Sequence, residues 1–258
     1  MAKSLLFINS LEKGLVVLTA FRHHHSMSLQ DIARECDISG SSAQRVAYTL
    51  ESLGYLIKDP VTRRYTLSVK ALSLGYSYLA NEPLFKVAHN ILHHLHQDCG
   101  ENVNLSVPEG NDMVFVIRIH TSKNVPIYMP VGSRIPLVSS ASGRAVLSLY
   151  PQDQLDEILA DMPVRMHTSR TTTDKAVLKH LIIEARDNGF AYADDEFFQA
   201  DVNVAAAVVG PFNMPIAAVN ISVPKPRWSL ARAREELGPK VMRAARAISG
   251  RSVDLTDF

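Results

Sequence analysis

Apolar residues in the first quarter of the chain recur at helical spacing in three consecutive stretches. The first covers roughly 8–24, with Leu11, Leu15, Val16, Leu18 and Phe21 as its stripe. The second opens at Ser28, whose side chain suits a helix cap, and runs through Leu29, Ile32 and Ala33 to Cys36. Asp31 falls in its first turn, at the positive end of the helix dipole. A short turn over 37–40 leads to a third helix over 41–53, where Ala43, Val46, Leu50 and Leu53 predict one buried face. After Gly54 the period shortens to that of strands. Residues 55–58 and 64–67 then predict a two-stranded hairpin around 59–63, with Arg63 and Arg64 at or beside its tip.

Farther on, Val69, Leu72, Tyr76 and Leu79 predict a connecting helix over 69–80, and a second helix begins at Pro83 and stops before Gly100. Strand patterns follow at 102–107, 113–119 and 125–130, then helical ones at 142–149, 153–161 and 174–188. The last of these is expected to be capped by Thr173 and stopped by Gly189. Strands at 190–194, 202–209 and 216–223 precede a helical stretch over 230–249, which Gly238-Pro239 is expected to break or kink. Strands and helices in runs, without strict alternation, predict an α+β domain with a mostly antiparallel sheet. The expected division is a winged helix-turn-helix over 1–68, a linker helix over 69–82, a second domain over 83–250 and a tail over 251–258.

The polar face of the third helix adds chemistry to this outline. Ser41, Ser42, Gln44, Arg45, Tyr48 and Thr49 offer hydroxyls, an amide and a guanidinium, with no carboxylate before Glu51. An element entering the major groove needs donors and amides for base edges and no negative charge near phosphate. A merely solvated face usually mixes Glu with Lys. Basic residues at the hairpin tip are placed to meet phosphate or a minor groove. The charge distribution agrees: the first 70 residues are net positive and the remainder slightly acidic, within a net +1 for the whole chain. Double-stranded DNA is the expected partner.

A chain of 258 residues, 47% hydrophobic and 21% charged, suffices for two packed domains. No uninterrupted apolar run of about 18 residues predicts a membrane span, and the apolar start over 1–8 is short for a secretory signal. The two cysteines, Cys36 and Cys99, fall in different predicted domains, which fits a reducing cytoplasm.

Residues 131–144 carry the second candidate site. There a strand end gives way to Ser139, Ser140, Ala141, Ser142 and Gly143 at a helix start, where unpaired N–H groups and small side chains suit a carboxylate. Serines that only cap a structural helix are the other reading. His89, His93, His94 and His96 share one predicted helix with Cys99, but its apolar stripe leaves most of them on the polar side, and no metal is expected. The tract His23-His24-His25 reads as solvated. No cofactor is implied. An enzyme with an accessory winged helix, such as a small-molecule hydrolase, is one rival class. Against it, the chain has no Gly-x-Ser-x-Gly, no phosphate-binding glycine loop and no His-Glu-x-x-His. A winged helix that binds a protein partner is the other rival.

Several of these segments also resemble one family. The string Ser10-Leu11-Glu12-Lys13-Gly14-Leu15-Val16-Val17-Leu18 is similar to the opening of IclR-type bacterial regulators. So are Gln44-Arg45-Val46, Thr49-Leu50-Glu51-Ser52-Leu53-Gly54-Tyr55-Leu56, Tyr65-Thr66-Leu67 and Leu72-Ser73-Leu74-Gly75. The resemblance implies a GAF-like sensor in the second domain, with Ala141 and Ser142 facing an effector and Ile127 and Ile135 as apolar wall. Asp194, in Asp194-Asp195-Glu196, matches the family's ligand-facing acid, and Val202, Val204, Asn220 and Ser222 align with pocket positions. Ala141 and Val204 depart from a glycine and a cysteine found in relatives, and Ala200-Asp201 stands where Gly-Leu is common. Ala20-Phe21, Leu74 to Leu79 and Arg227-Trp228-Ser229-Leu230 look like the subgroup controlling protocatechuate and hydroxybenzoate breakdown, which implies an aromatic carboxylate effector. Because one winged helix covers half an operator, a homo-oligomer is expected. The resemblance implies a dimer or dimer of dimers joined through the linker helix.

Overall fold

The computed structural model describes residues 4, 6–123 and 129–253. It divides into two compact units, 1–81 and 82–258.

The first unit holds α1 (Asn9–Ala20), α2 (Leu29–Glu35), α3 (Gly40–Ser52), strands β1 (Leu56–Lys58) and β2 (Tyr65–Leu67), and α4 (Leu72–Asn81). Its core joins Val17, Phe21, Met27, Ile32, Ala43, Ala47, Leu50, Leu56 and Tyr65. Ser28 caps α2 through a reciprocal capping box with Asp31. Met27 exchanges both backbone hydrogen bonds with Tyr65, which ties the hairpin to the start of α2. The stripe expected on α1 is corrected in part: Phe21 is buried and Leu18 packs on the core as expected, but Val17 is fully buried while Leu11 and Leu15 are 59% and 52% exposed. Apolar residues occupy more than one side of α1, so spacing alone does not choose the face. Small Ala43 and Ala47 on α3 let Val17 and Phe21 pack closely, and that does. On α3 itself the buried set is Ala43, Ala47 and Leu50, and the expected Leu53 is exposed at the helix end. A 3-10 turn over Val69–Ala71 precedes α4, in which no residue is buried.

The second unit begins with α5 (Pro83–Cys99), which starts on a proline and ends at Gly100 in the left-handed conformation. Six antiparallel strands follow with intervening helices: β3 (Asn102–Glu109), β4 (Asp112–Ile119), β5 (Arg134–Pro136), β6 (Ala191–Asp194), β7 (Asp201–Val209) and β8 (Pro215–Pro224). Their spatial order is β5-β4-β3-β8-β7-β6, and a bulge at Val116 shifts the β3–β4 register. The strand expected over 125–130 lies outside the described residues except for Met129 and Pro130, which are in no strand. The short β5 carries no alternation long enough to predict it.

Helices α6 (Ala141–Leu147), α7 (Gln152–Asp161) and α8 (Lys175–Asn188) pack around Met113, Phe115, Leu137, Leu155, Leu178 and Ile182. Asp174, not the expected Thr173, caps α8, accepting from the N–H groups of Ala176 (2.7 Å) and Val177 (3.3 Å). The last helix, α9 (Leu230–Val253), packs on α5, β7 and β8. It runs through Gly238 and Pro239 as one helix, so the chain is not broken there. A side chain at 238 would meet the Phe190 ring at 2.7 Å, so the glycine serves close helix packing there. No described helix is long and apolar enough to cross a membrane.

Candidate effector cavity and candidate nucleic-acid interface

In the head, Ser39 caps α3 by accepting from the Ser42 N–H at 3.2 Å. That fixes the helix start and leaves Ser41, Gln44, Arg45, Tyr48 and Thr49 exposed on one face, with Ser42 half-buried. Lys13 reaches the Ser42 hydroxyl at 3.4 Å, adding a cation beside this face. The Thr49 hydroxyl turns back to the Arg45 carbonyl at 2.9 Å.

The two wing arginines differ. Arg63 stands exposed at the tip with a left-handed φ of 59°, held by a turn in which Asp59 accepts from the Val61 and Thr62 N–H groups. Those hydrogen bonds hold the Asp59 carboxyl below its usual range. Arg64 faces inward. Its guanidinium donates to the Ser26 hydroxyl (2.9 Å), the Ser26 carbonyl (2.9 Å) and Asp31 (3.0 Å), tying the wing to α2. The Ser28 cap, above all, with help from Arg34 and Arg64, lowers the Asp31 pKa to about 2.

In the second unit a cavity of about 250 Å³ opens between the sheet and the start of α6. Ile135, Ala141, Ser142, Asn220 and Ser222 line it, as do Phe115, Phe197, Phe198, Arg118 and Asp201. Ile127 lies outside the described residues. Asp194, Val202 and Val204 are not on the wall. The reason is strand phase: side chains alternate between faces, so the cavity side of β7 shows Asp201 and Asn203, and the valines point the other way. Asp194 pairs with Val202 across β6–β7 and shares its face; its neighbour Ala193 pairs with Asn203 and lines the cavity. Asp194 instead meets Lys225 at 2.8 Å and Arg170 at 3.2 Å. The pattern Asp-Val-Asn-Val over 201–204 was the available signal for Asp201 and Asn203.

The cavity walls are chemically unlike. Arg118 donates from Nε to Asn104 Oδ1 at 2.9 Å and from another nitrogen to the Met129 carbonyl. Asp201 accepts from the Ser222 hydroxyl (2.8 Å) and from Asn203 (2.6 Å), and desolvation outweighs both to push its pKa up to about 6. At the α6 end, the Gly143 and Arg144 N–H groups bond to Ser140, so bonding at the helix start begins beyond Ala141 and Ser142. A side chain at 143 would fall 1.8 Å from the Leu137 carbonyl oxygen, so only glycine allows this approach. Ser139, Ser142 and Asn220, all lining the cavity, each have a buried oxygen with no partner among the described residues. Below them, Arg144 holds Glu196 through two contacts of 2.6 Å.

Two of the histidines have ordinary partners. His96 shares a 2.7 Å hydrogen bond with the Glu101 carbonyl, and His24 lies 3.4 Å from Glu35. Among the described residues, no three His, Cys, Asp or Glu side chains gather to hold a metal ion.

Comparison with known proteins gives one consistent result. The model of the IclR helix-turn-helix domain matches residues 10–60, and that of the bacterial transcriptional regulator IclR C-terminal domain matches residues 76–250. The Pca regulon regulatory protein of Pseudomonas putida is 28% identical over 242 residues, which is 93% of this chain and 82% of that one. The transcriptional regulator KdgR of Escherichia coli (strain K12) is 26% identical, over 94% and 92% of the two chains. A transcriptional-regulator crystal structure from Rhodococcus sp. RHA1 superposes with a TM-score of 0.83 at 31% identity, covering 97% of this chain and 100% of that one. An IclR homologue from Microbacterium hydrocarbonoxydans, solved in complex with 4-hydroxybenzoate, superposes with a TM-score of 0.77 at 22% identity, covering 95% and 99%. At that identity it speaks to the fold.

Proposed function

The chain belongs to the IclR family of bacterial transcription regulators, and from that premise we propose that its C-terminal cavity takes a small aromatic carboxylate which governs how the head holds an operator. The regulator reading stands over the enzyme alternative, since the family is one of transcription regulators. The observation that carries the effector reading is the mismatch inside the cavity. An arginine and unpartnered buried oxygens share it with Phe115, Phe197 and Phe198, and buried polar groups without partners are costly unless a ligand supplies them. A flat acid with an apolar ring satisfies both sides. The relatives named above include a Pca regulon regulator and a 4-hydroxybenzoate complex, and both support that choice.

In this reading Gln44, Arg45 and Tyr48 read bases, while Ser41, Ser42, Arg63 and the outer edge of Arg64 hold phosphate; the Thr49 hydroxyl is spent on the Arg45 carbonyl and brings only its methyl group to the face. Two or four chains assemble through α4 and the exposed side of α1, whose Leu11 and Leu15 would otherwise remain wet. The regulator works in the cytoplasm, where its DNA lies. Effector binding alters the spacing of paired heads.

A thermal-shift screen of purified protein against pyruvate, glyoxylate, 4-hydroxybenzoate and protocatechuate tests the effector class. A ligand at 100 times its Kd adds about 2.7 kcal/mol, a readily visible shift. An aromatic hit supports the reading. A response to the small keto acids alone moves the assignment to them, and no response to any acid removes the carboxylate.

A further inference from the structure

The polar wall of the cavity has a direction, and Asp201 sets it. Asn203 and Asn220 look like interchangeable amides, but their partners decide which end points where. A carboxylate only accepts hydrogen bonds. Asn203 therefore presents its NH2 to Asp201 Oδ2, at 2.6 Å, and turns its own oxygen toward Asn220. Asn220 must then offer its NH2 to that oxygen, at 2.9 Å. One atom is left over at the end of the relay: Asn220 Oδ1, buried and without a partner among the described residues. Its residue is 3% exposed and lines the cavity.

The relay is held from both sides. Asp201 and Asn203 sit on β7, Asn220 and Ser222 on β8, and the register places Asn203 opposite Ser222. The Asn203–Asp201 bond therefore runs along β7, and the Asn220–Asn203 and Ser222–Asp201 bonds run diagonally across the same face of the two paired strands. The Ser222 hydroxyl occupies the other carboxylate oxygen at 2.8 Å, so Asp201 cannot swing away without losing two bonds.

We infer that Asp201 acts as a positioning residue that fixes the polarity of the Asn203–Asn220 pair, and that the cavity thereby selects an effector bringing a hydrogen-bond donor, a hydroxyl or N–H, to Asn220 Oδ1. This rests on the cavity being the effector site. It narrows the effector from any carboxylate to one carrying a second, donating group, with Arg118 as the cation available for the carboxylate. Two N–H groups of that guanidinium are already engaged, and an arginine carries five.

The same relay makes selectivity depend on pH. The charged groups acting on Asp201 are Arg118, which favours its ionised form, and Asp195, which opposes it. Asp195 is itself held by Lys225 and lies 3.6 Å from Arg170. Once protonated, Asp201 can donate to Asn203, the two amides can turn over, and the cavity then presents an NH2 where it had presented an oxygen.

Calorimetric titration of 4-hydroxybenzoate and 4-fluorobenzoate tests this, because fluorine approximates the hydroxyl in size and cannot donate. At pH 7.5 the hydroxy acid should bind the wild-type protein at least about tenfold more tightly. In Asp201→Asn, shown folded by circular dichroism, the ratio should fall below about threefold, since a neutral amide at 201 no longer dictates the others. Equal affinities in the wild type, or an undiminished ratio in the folded variant, overturn the inference. If neither acid binds, the aromatic-acid reading fails, and the relay is judged by neutron diffraction of the unliganded protein. Asn220 Nδ2 directed at Asn203 supports it, and the reverse orientation refutes it.

Discussion

The guanidinium of Arg144 and the carboxylate of Glu196 meet in a double contact, 2.6 Å at each oxygen, with both residues almost wholly removed from solvent. Arg144 also donates to the carbonyls of Val138 (2.9 Å) and Tyr192 (3.2 Å), and Glu196 accepts from the Thr172 N–H at 3.0 Å. The pair therefore joins α6, the segment leading into it and the loop after β6, which together form one end of the cavity.

Removing one partner should be far worse than removing both. Glu196→Ala strands a buried guanidinium and is expected to cost about 3–5 kcal/mol in urea unfolding, whereas Arg144→Met with Glu196→Leu should stay within about 2 kcal/mol of the wild type. A single variant as stable as the double one would show that the pair is not the clamp.

In the head, the inward turn of Arg64 separates two neighbours that look alike in sequence. Arg63→Ala should weaken duplex binding and reduce the log–log salt slope by roughly 0.9, with an unchanged melting temperature. Arg64→Ala should lower the melting temperature as well, because it unties the wing from Ser26 and Asp31. Arg45→Ala should weaken operator binding in a folded head. Unchanged affinity at physiological salt would remove Arg45 from the interface.

How far the sequence speaks depends on whether a pattern has one reading. The cap at Ser28, the start at Pro83 and the stop at Gly189 depend on local backbone chemistry, and each is where residue type alone puts it. The phase of β7 is different. Both its faces are covered, with Ala205 packed among Ala141, Ala145 and Ala185 on the cavity side and α9 also packed on the strand. Burial therefore gives Val202 and Val204 no reason to face the cavity, and Asp201 and Asn203, which alternate with them, face it instead. The stripe on α1 is met at Leu18 and Phe21 but not at Leu11 and Leu15, for a related reason: these leucines are as apolar as Val17, and only the alanines of α3 choose between them. The inward turn of Arg64 depends on Ser26 and Asp31, more than 30 positions away in the chain, and no spacing rule reaches that far.

The two perturbed carboxyls give opposite pH signatures. Asp31 is held at about pKa 2, below its unfolded value, so its contribution is present above about pH 4 and lost as pH falls toward 2. Asp201, raised to about 6, binds a proton more readily in the folded protein. Its effect on stability is most favourable below about pH 4 and declines as pH rises to 6. Asp201→Asn should remove that decline and stabilise the protein at pH 7 by on the order of 1 kcal/mol. Urea unfolding of both proteins from pH 4 to 8 measures this. Parallel curves would mean that Asp201 titrates normally.

The central claim is that the cavity beside Ser142 is where a carboxylate effector sits. Calorimetric titration of 4-hydroxybenzoate into the wild type and into Ser142→Asp, with circular dichroism confirming that the variant is folded, tests it most directly. The expected result is saturable binding at one site per chain in the wild type and none in the variant, where a fixed negative charge opposes the ligand's own. Undiminished binding by the folded variant, or no binding by the wild type, would contradict the account.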